Sequence, residues 1–224
     1  MPVASVTEAY PAERAAPLAG VPKSTLHYWA SNGIWTPSVS PNRIRLWSLS
    51  DIAMLRVIYW LRRADKTLGP DDLPIPRTKM AQVRATITRV LAGELRPETT
   101  RICVDIKGNM VLDQDGHLEE LTGQQRSIPT LDILSEFRVD EERGIVGPNL
   151  LRPRPLLRII PGKLAGEPHV RDTRVETSMV DALVERGYGL TDILDMYPFL
   201  TEEAVGEARS LEQQLRRNLR TEAA

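Results

Sequence analysis

Apolar residues recur at helical spacing in several separate stretches of this chain, and the breaks between them carry Gly, Pro and Asn. Leu26 and Trp29 lie three apart, so they face inward on one short helix and leave Lys23, Ser24, His27 and Tyr28 outward. Gly20 closes the preceding Ala-rich helix, Pro11 to Ala19, by taking positive φ, and that helix carries Arg14 outward; Pro22 opens the next helix. Ser31-Asn32-Gly33 ends it. Ile52, Leu55, Ile58 and Tyr59 form the stripe of a further helix, with Ser48 as its cap and Asp51 as the reciprocal partner three residues on. The same period predicts helices from Thr78 (Met80, Val83, Ile87, Val90, Leu91) and from Thr130 (Leu131, Leu134, Phe137). It predicts another over Met179, Val180, Leu183 and Val184, capped by Thr177 or Ser178 and stopped by Gly187. Leu190 to Pro198 reads as a short helix, and Val205, Ala208, Leu211, Leu215 and Leu219 mark a last one capped by Thr201.

Strand signals are shorter. Trp35 to Trp47, interrupted by Pro37, Pro41 and Asn42, reads as two strands around a loop. Arg101 to Ile106 and Met110 to Leu112 flank Lys107-Gly108-Asn109 as a hairpin, and Asp113 to Gly116 reads as a second turn. Leu157 to Ile160 opens a last unit with a strand, a Pro161-Gly162 turn and a tight loop through Val175. The fold class is mainly α with short β-hairpins (α+β). The units are 1–66, a winged helix-turn-helix; 67–77, a Pro-rich linker; 78–138, a central helix and hairpin; 139–156, a second linker; and 157–224, a three-helix domain. In the second linker, the basic run Arg152 to Arg158 reads as a solvated connector.

Charge modifies this picture locally. The net charge is −1, yet no acid occurs between Glu13 and Asp51, a window that holds Arg14, Lys23, Arg43 and Arg45. An acid-free basic face on a neutral protein is an electrostatic footprint for nucleic acid. Cys103 is the single cysteine, which excludes an internal disulfide framework and a Cys-paired metal site. Asp113 and Asp115 are what a bare turn demands, and no metal or cofactor is expected. His27, His117 and His169 are far apart in sequence, with no nucleophile motif or Gly-rich phosphate loop, so an enzyme is not expected. No signal pattern or membrane-length apolar run occurs, and a cytoplasmic location is expected.

Tyr10, Ala15, Gly20-Val21, Thr25-Leu26, Trp29, Gly33-Ile34-Trp35, Arg43-Ile44-Arg45-Leu46-Trp47, Asp51-Ile52 and Leu55-Arg56 resemble the signature of MerR-type winged helix-turn-helix proteins. Pro22 stands where the family has a capping Ser or Asn, and Arg43-Ile44-Arg45 where it has Gly-Tyr-Arg in the wing. The resemblance implies that the second helix enters a DNA major groove. Arg14, Lys23, Arg43 and Arg45 would then contact phosphates, and Ser24, Thr25, His27 and Tyr28 would meet base edges or position the helix.

A second resemblance lies at the other end. Gly166, Pro168, Arg171, Thr173-Arg174, Gly187, Ile193-Leu194, Tyr197-Pro198, Leu200-Thr201 and Val205 are similar to the domain-of-unknown-function-433 family. Asp172 replaces the usual Gly there, and Asp tolerates the left-handed region. Arg171 and Arg174 read as structural clamps. This resemblance implies a homeodomain-like three-helix bundle and, with the MerR-like head, an atypical VapB-like antitoxin. Such a protein would bind and inhibit a VapC-type PIN-domain ribonuclease toxin and, as a homodimer, autoregulate its own operon by binding operator DNA. Arg209, Arg216, Arg217 and Arg220 on the last helix are the candidate toxin contacts. The alternative is a MerR-like regulator that answers to a small effector and has no toxin partner.

Overall fold

A computed structural model describes residues 8–62, 67–68, 82, 85, 101–105, 110–114, 117–120, 130–132, 134–139, 145–160 and 162–220. Helix α1 spans Ala12–Ala19 and ends at Gly20, whose φ of 64° lets its N–H reach the carbonyls of Ala16 and Pro17. Helix α2, Lys23–Ser31, follows after Val21 and Pro22, buries Leu26 and Trp29, and runs out at Asn32 and Gly33, the latter at φ 64°. Helix α3, Leu49–Arg62, begins with the expected reciprocal cap. Asp51 N–H donates to Ser48 Oγ at 3.1 Å and Ser48 N–H donates to Asp51 Oδ2 at 2.8 Å. Every residue from Asp51 to Tyr59 is buried, so this part of α3 is covered on all sides.

That coverage comes from the rest of the chain. Arg56, fully buried, donates to the carbonyls of Leu18 (2.9 Å), Ser135 (3.2 Å) and Pro148. A cation at the C-terminal turn of α1 suits the helix dipole, and here it also ties two later loops to the head.

The middle of the chain is antiparallel β. One sheet has the order β1-β6-β7, from Thr67–Leu68, Phe137–Val139 and Ile145–Gly147. The other has the order β4-β3-β2-β5, from His117–Glu120, Met110–Gln114, Arg101–Asp105 and Thr130–Asp132. The predicted hairpin is present, with Val104 opposite Met110 and Ile102 opposite Leu112. Three expectations change. Asp113 and Gln114 belong to β3 rather than to a turn, with Gln114 opposite His117. Thr130 to Phe137 is not a helix: β5, a turn at Leu134 and β6 replace it. Three apolar residues three apart fit one helical face, but a two-turn helix gains too little by itself to outweigh strand pairing with β2. Of the span 139–156, expected as a linker, the described part contains β7, and Val146, Leu150 and Arg154 are hydrogen-bonded to Gln214, Leu134 and Gln214 in turn. In the helix expected from Thr78, only Gln82 and Ala85 are described, both helical; the rest lies outside the described residues, as does most of the first linker.

The last unit opens with β8, Leu157–Arg158, paired to β9, His169–Val170. Asp172 does take the left-handed region, at φ 61°, as its replacement of Gly implied. Helices α4 (Thr177–Glu185), α5 (Leu190–Met196) and α6 (Glu202–Arg220) follow. Gly187, at φ 91°, ends the α4 turn, and Thr201 Oγ accepts the Ala204 N–H at 3.2 Å to cap α6. Thr177 is not a cap: it is buried, its hydroxyl 2.5 Å from Glu212 Oε1. Ala204, Val205, Ala208, Leu211 and Leu215 of α6 are buried, and α6 packs on α4, α5 and also on α1 of the head. No described helix is long and apolar enough to cross a membrane.

Candidate nucleic-acid interface

The outer face of α2 is uncovered at Ser24 and at Tyr28, whose side chain is 60% exposed, with Thr25 half-buried between them. Hydroxyls at this spacing on the second helix of a helix-turn-helix can reach base edges or phosphates. Beside them, the segment after α2 loops out and returns through a single bridge between Ser40 and Leu46. The tip is solvent-facing, with Arg43 and Ile44 both exposed. Two full strands were expected; Pro37 and Pro41 limit the ladder to that bridge.

One buried carboxylate shapes this loop. Asp51 accepts from Trp35 Nε1 (3.0 Å), Ser38 N–H (2.9 Å) and Ser38 Oγ (2.8 Å) as well as from Ser48 N–H. The helix cap is therefore also the anchor that fixes where this loop leaves the body. Sequence reasoning found the cap; the contacts to Trp35 and Ser38 were not legible from spacing.

The basic residues divide into three groups. Arg43 is exposed at the wing tip. Lys23 and Arg45 lie at the surface but are engaged. Lys23 Nζ sits 2.6 Å from Glu13, so a carboxylate at the edge of the acid-free window meets it in space. Arg45 folds back on α2, donating to Ser31 Oγ (3.0 Å) and the His27 carbonyl (3.3 Å), with His27 Nδ1 at 3.4 Å. A guanidinium only donates, so His27 Nδ1 is the acceptor side of this contact. Burial first, then the nearby Arg45 and Lys23 charges, hold its pKa below the usual histidine value. The imidazole stands edge-on to buried Trp47, with centroids 6.1 Å apart, so His27 supports the wing more than it faces solvent.

Arg14 is the correction. It was expected outward, as a phosphate contact, but its guanidinium is turned into the protein at 14% exposure. Nε donates to Glu167 (2.7 Å), and Nη1 and Nη2 form a fork on Glu212 (2.7 and 2.8 Å). Hydrogen bonds and charge from Glu212 and Glu167 outweigh burial and raise its pKa. Next to it, buried Tyr10 donates its hydroxyl to the Gly166 carbonyl at 2.5 Å. Asn218 donates to the Pro17 carbonyl (3.0 Å) and the Val146 carbonyl (2.9 Å), which Gln214 also reaches (2.7 Å). Head and tail thus meet on α1 and on Tyr10 just before it, and leave the hydroxyl-bearing outer face of α2 uncovered.

The other candidates lie in the tail. Arg209 and Arg217 are exposed on α6, and the Arg220 side chain lies outside the described residues. Arg216 forks onto Asp181 and reaches Glu185 at 2.6 Å, so it braces α4. Arg154 of the supposed connector is likewise engaged, on Gln214 at 2.5 Å. Arg171 and Arg174, read as clamps, are exposed, and Arg171 Nε lies 3.5 Å from its chain neighbour Asp172.

Comparison with known proteins agrees with both ends of this description. Residues 10–69 match the family described as MerR HTH family regulatory protein, and residues 158–210 match the family described as Protein of unknown function (DUF433). No curated protein and no solved structure matches the chain. Glu212 and Asn218, which fasten α6 to the head, and Gln214, which fastens it to β7, fall beyond the second matched span. The chain therefore joins a MerR-family helix-turn-helix domain at its N-terminal end to a DUF433 domain at its C-terminal end.

Proposed function

We propose that this protein is a DNA-binding transcription regulator that places α2 in the major groove, acts as a homodimer on its own operator, and serves as the antitoxin of a VapC-type PIN-domain ribonuclease. The observation that carries the DNA half is the uncovered face of α2: the tail fastens to Tyr10, Arg14 and Pro17 and leaves Ser24 and Tyr28 in solvent. On DNA, Arg43 contacts phosphate directly. Lys23 and Arg45 exchange Glu13 and Ser31 for phosphate oxygens, a trade favoured because each releases condensed counterions. Two recognition helices about 34 Å apart would fit half-sites one helical turn apart.

The antitoxin half is supported by the DUF433 domain and by the absence of an evident catalytic constellation in the sequence. In this reading the chain is a binding protein and not an enzyme. Its test is co-expression of the full chain with a PIN-domain nuclease, followed by pull-down and growth rescue. For the DNA half, Lys23→Ala and Arg45→Ala are each expected to weaken operator binding and to lower the slope of log K against log salt by roughly 1. Salt titrations of either variant that overlay wild type would contradict the assignment.

A further inference from the structure

The proposed partner needs a seat, and one corner of the tail supplies an unusual surface. Four large apolar side chains lie exposed within twelve residues around α5: Tyr188 (46%), Leu190 (36%), Met196 (45%) and Phe199 (62%). The helix does not lack apolar residues for its own packing, since Ile193 is fully buried and Leu200 nearly so. The outward set therefore leaves apolar surface that one chain only partly covers, and exposure of this kind marks an interaction surface. Phe199 is also braced. Tyr197 packs edge-on to it, with centroids 6.1 Å apart, and the Tyr197 hydroxyl reaches Met179 Sδ at 3.7 Å. A pre-positioned aromatic is what an interface anchor requires.

Charge selects the occupant. Arg186, Asp192, Asp195, Glu202 and Glu203 flank these residues in the chain and are all exposed, one cation against four carboxylates, whereas the whole chain carries a net charge of −1. Nucleic acid is repelled by such a rim. A second copy docked about a two-fold axis would set the same acids against each other. A ribonuclease, by contrast, must present a basic surface to hold RNA phosphates. We infer that the acid-rimmed apolar corner formed by Tyr188, Leu190, Met196 and Phe199 docks on the basic, RNA-holding face of the nuclease partner. The inference rests on the antitoxin reading above and changes its detail. The contact is made by carboxylates and apolar anchors around α5, in place of the arginines of α6, of which Arg216 is already bound to Asp181.

The test uses the full chain and a purified PIN-domain nuclease, with binding followed by surface-immobilised kinetics. Met196→Asp combined with Phe199→Asp is expected to weaken the complex at least about 100-fold, through faster dissociation. Asp195→Lys combined with Glu202→Lys is expected to slow association about tenfold at low salt, the difference fading as salt is raised. A short RNA oligonucleotide should compete with the wild-type chain for the nuclease. All four positions are exposed, so both variants should keep the wild-type circular dichroism spectrum and DNA affinity. Nuclease binding by both variants at wild-type strength overturns this surface and leaves the antitoxin reading intact. Failure of the wild-type chain to bind the nuclease overturns that reading and the occupant with it. A changed sedimentation coefficient of the apolar variant alone, with unchanged nuclease binding, assigns the corner to a second copy and overturns the inference.

Discussion

Gly166 lies 156 residues from Tyr10 in sequence, yet an added methyl group there would sit 2.1 Å from the Tyr10 phenolic oxygen and 2.7 Å from Cζ. The ring has little room to withdraw: it is fully buried, and its backbone is bonded both ways to Trp47, at 2.8 and 2.9 Å. Gly166→Ala therefore has two separable costs. At φ 84° a side chain on this residue costs about 1–2 kcal/mol from backbone sterics alone. Displacing the phenol leaves a buried hydroxyl and carbonyl unpaired, a further cost of about 1–3 kcal/mol. A loss of about 2–5 kcal/mol is expected, a large share of a typical domain's stability. The assay is urea unfolding followed by tryptophan fluorescence, because Trp29, Trp35 and Trp47 are buried in the head while the substitution lies in the tail. Circular dichroism at 222 nm reports α6 as well, and the two transitions should coincide and shift together. Tyr10→Phe removes the nearest atom but not the ring, so it should recover part of the loss in the double variant. A tryptophan transition unmoved by Gly166→Ala would refute the claim that the two ends share one structural unit.

Three more outcomes follow from the site. Arg14→Ala should destabilise the chain by about 3–5 kcal/mol, because it strands Glu212 among buried neighbours, while the folded fraction binds DNA as wild type does; weaker DNA binding with unchanged stability, read by mobility shift and urea melts, would restore Arg14 to the phosphate-contacting set. Glu13→Gln removes the carboxylate that engages Lys23 in an exposed pair worth at most about 1 kcal/mol, so operator affinity should rise up to about fivefold at low salt; unchanged affinity would argue against a role for Lys23 on DNA. His169 is fully buried with Nδ1 bonded to the Glu167 carbonyl and Nε2 unpartnered; burial, the largest effect, lowers its pKa. Below the unfolded-state value of 6.5 the unfolded chain then binds more protons than the native one, so stability falls as pH drops through this region. His27 acts in the same sense, whereas Glu167, its pKa raised chiefly by burial, acts in the opposite one. Melts between pH 7 and 5.5 should therefore be flatter for His169→Gln than for wild type, and parallel curves would contradict the assignment.

What could be read from the chain was local chemistry. Gly20 at a helix end, Ser48 answering Asp51, Asp172 in the left-handed region and the α6 stripe depend on neighbours within a few residues, and each is present. Expectation departed from structure wherever the partner was remote. Arg14 sits on α1 with the spacing of an outward residue, and nothing nearby announces Glu212, 198 residues on. On α6 the polar residues Glu212, Gln214 and Asn218 are buried against the head and β7, and no residue near them in the chain announces those partners. The wing arginines were legible as basic residues. That Arg45 would fold back on α2 depends on the loop geometry set by Asp51, which a one-dimensional pattern does not encode.

The most direct test of the account is fluorescence anisotropy of the full chain on the DNA upstream of its own gene, measured against a scrambled duplex over a series of salt concentrations, with footprinting of the bound species. The account predicts binding that prefers the upstream DNA, weakens steeply with salt, and protects two half-sites one helical turn apart. Equal affinity for the scrambled duplex, or no binding at low salt, would contradict it.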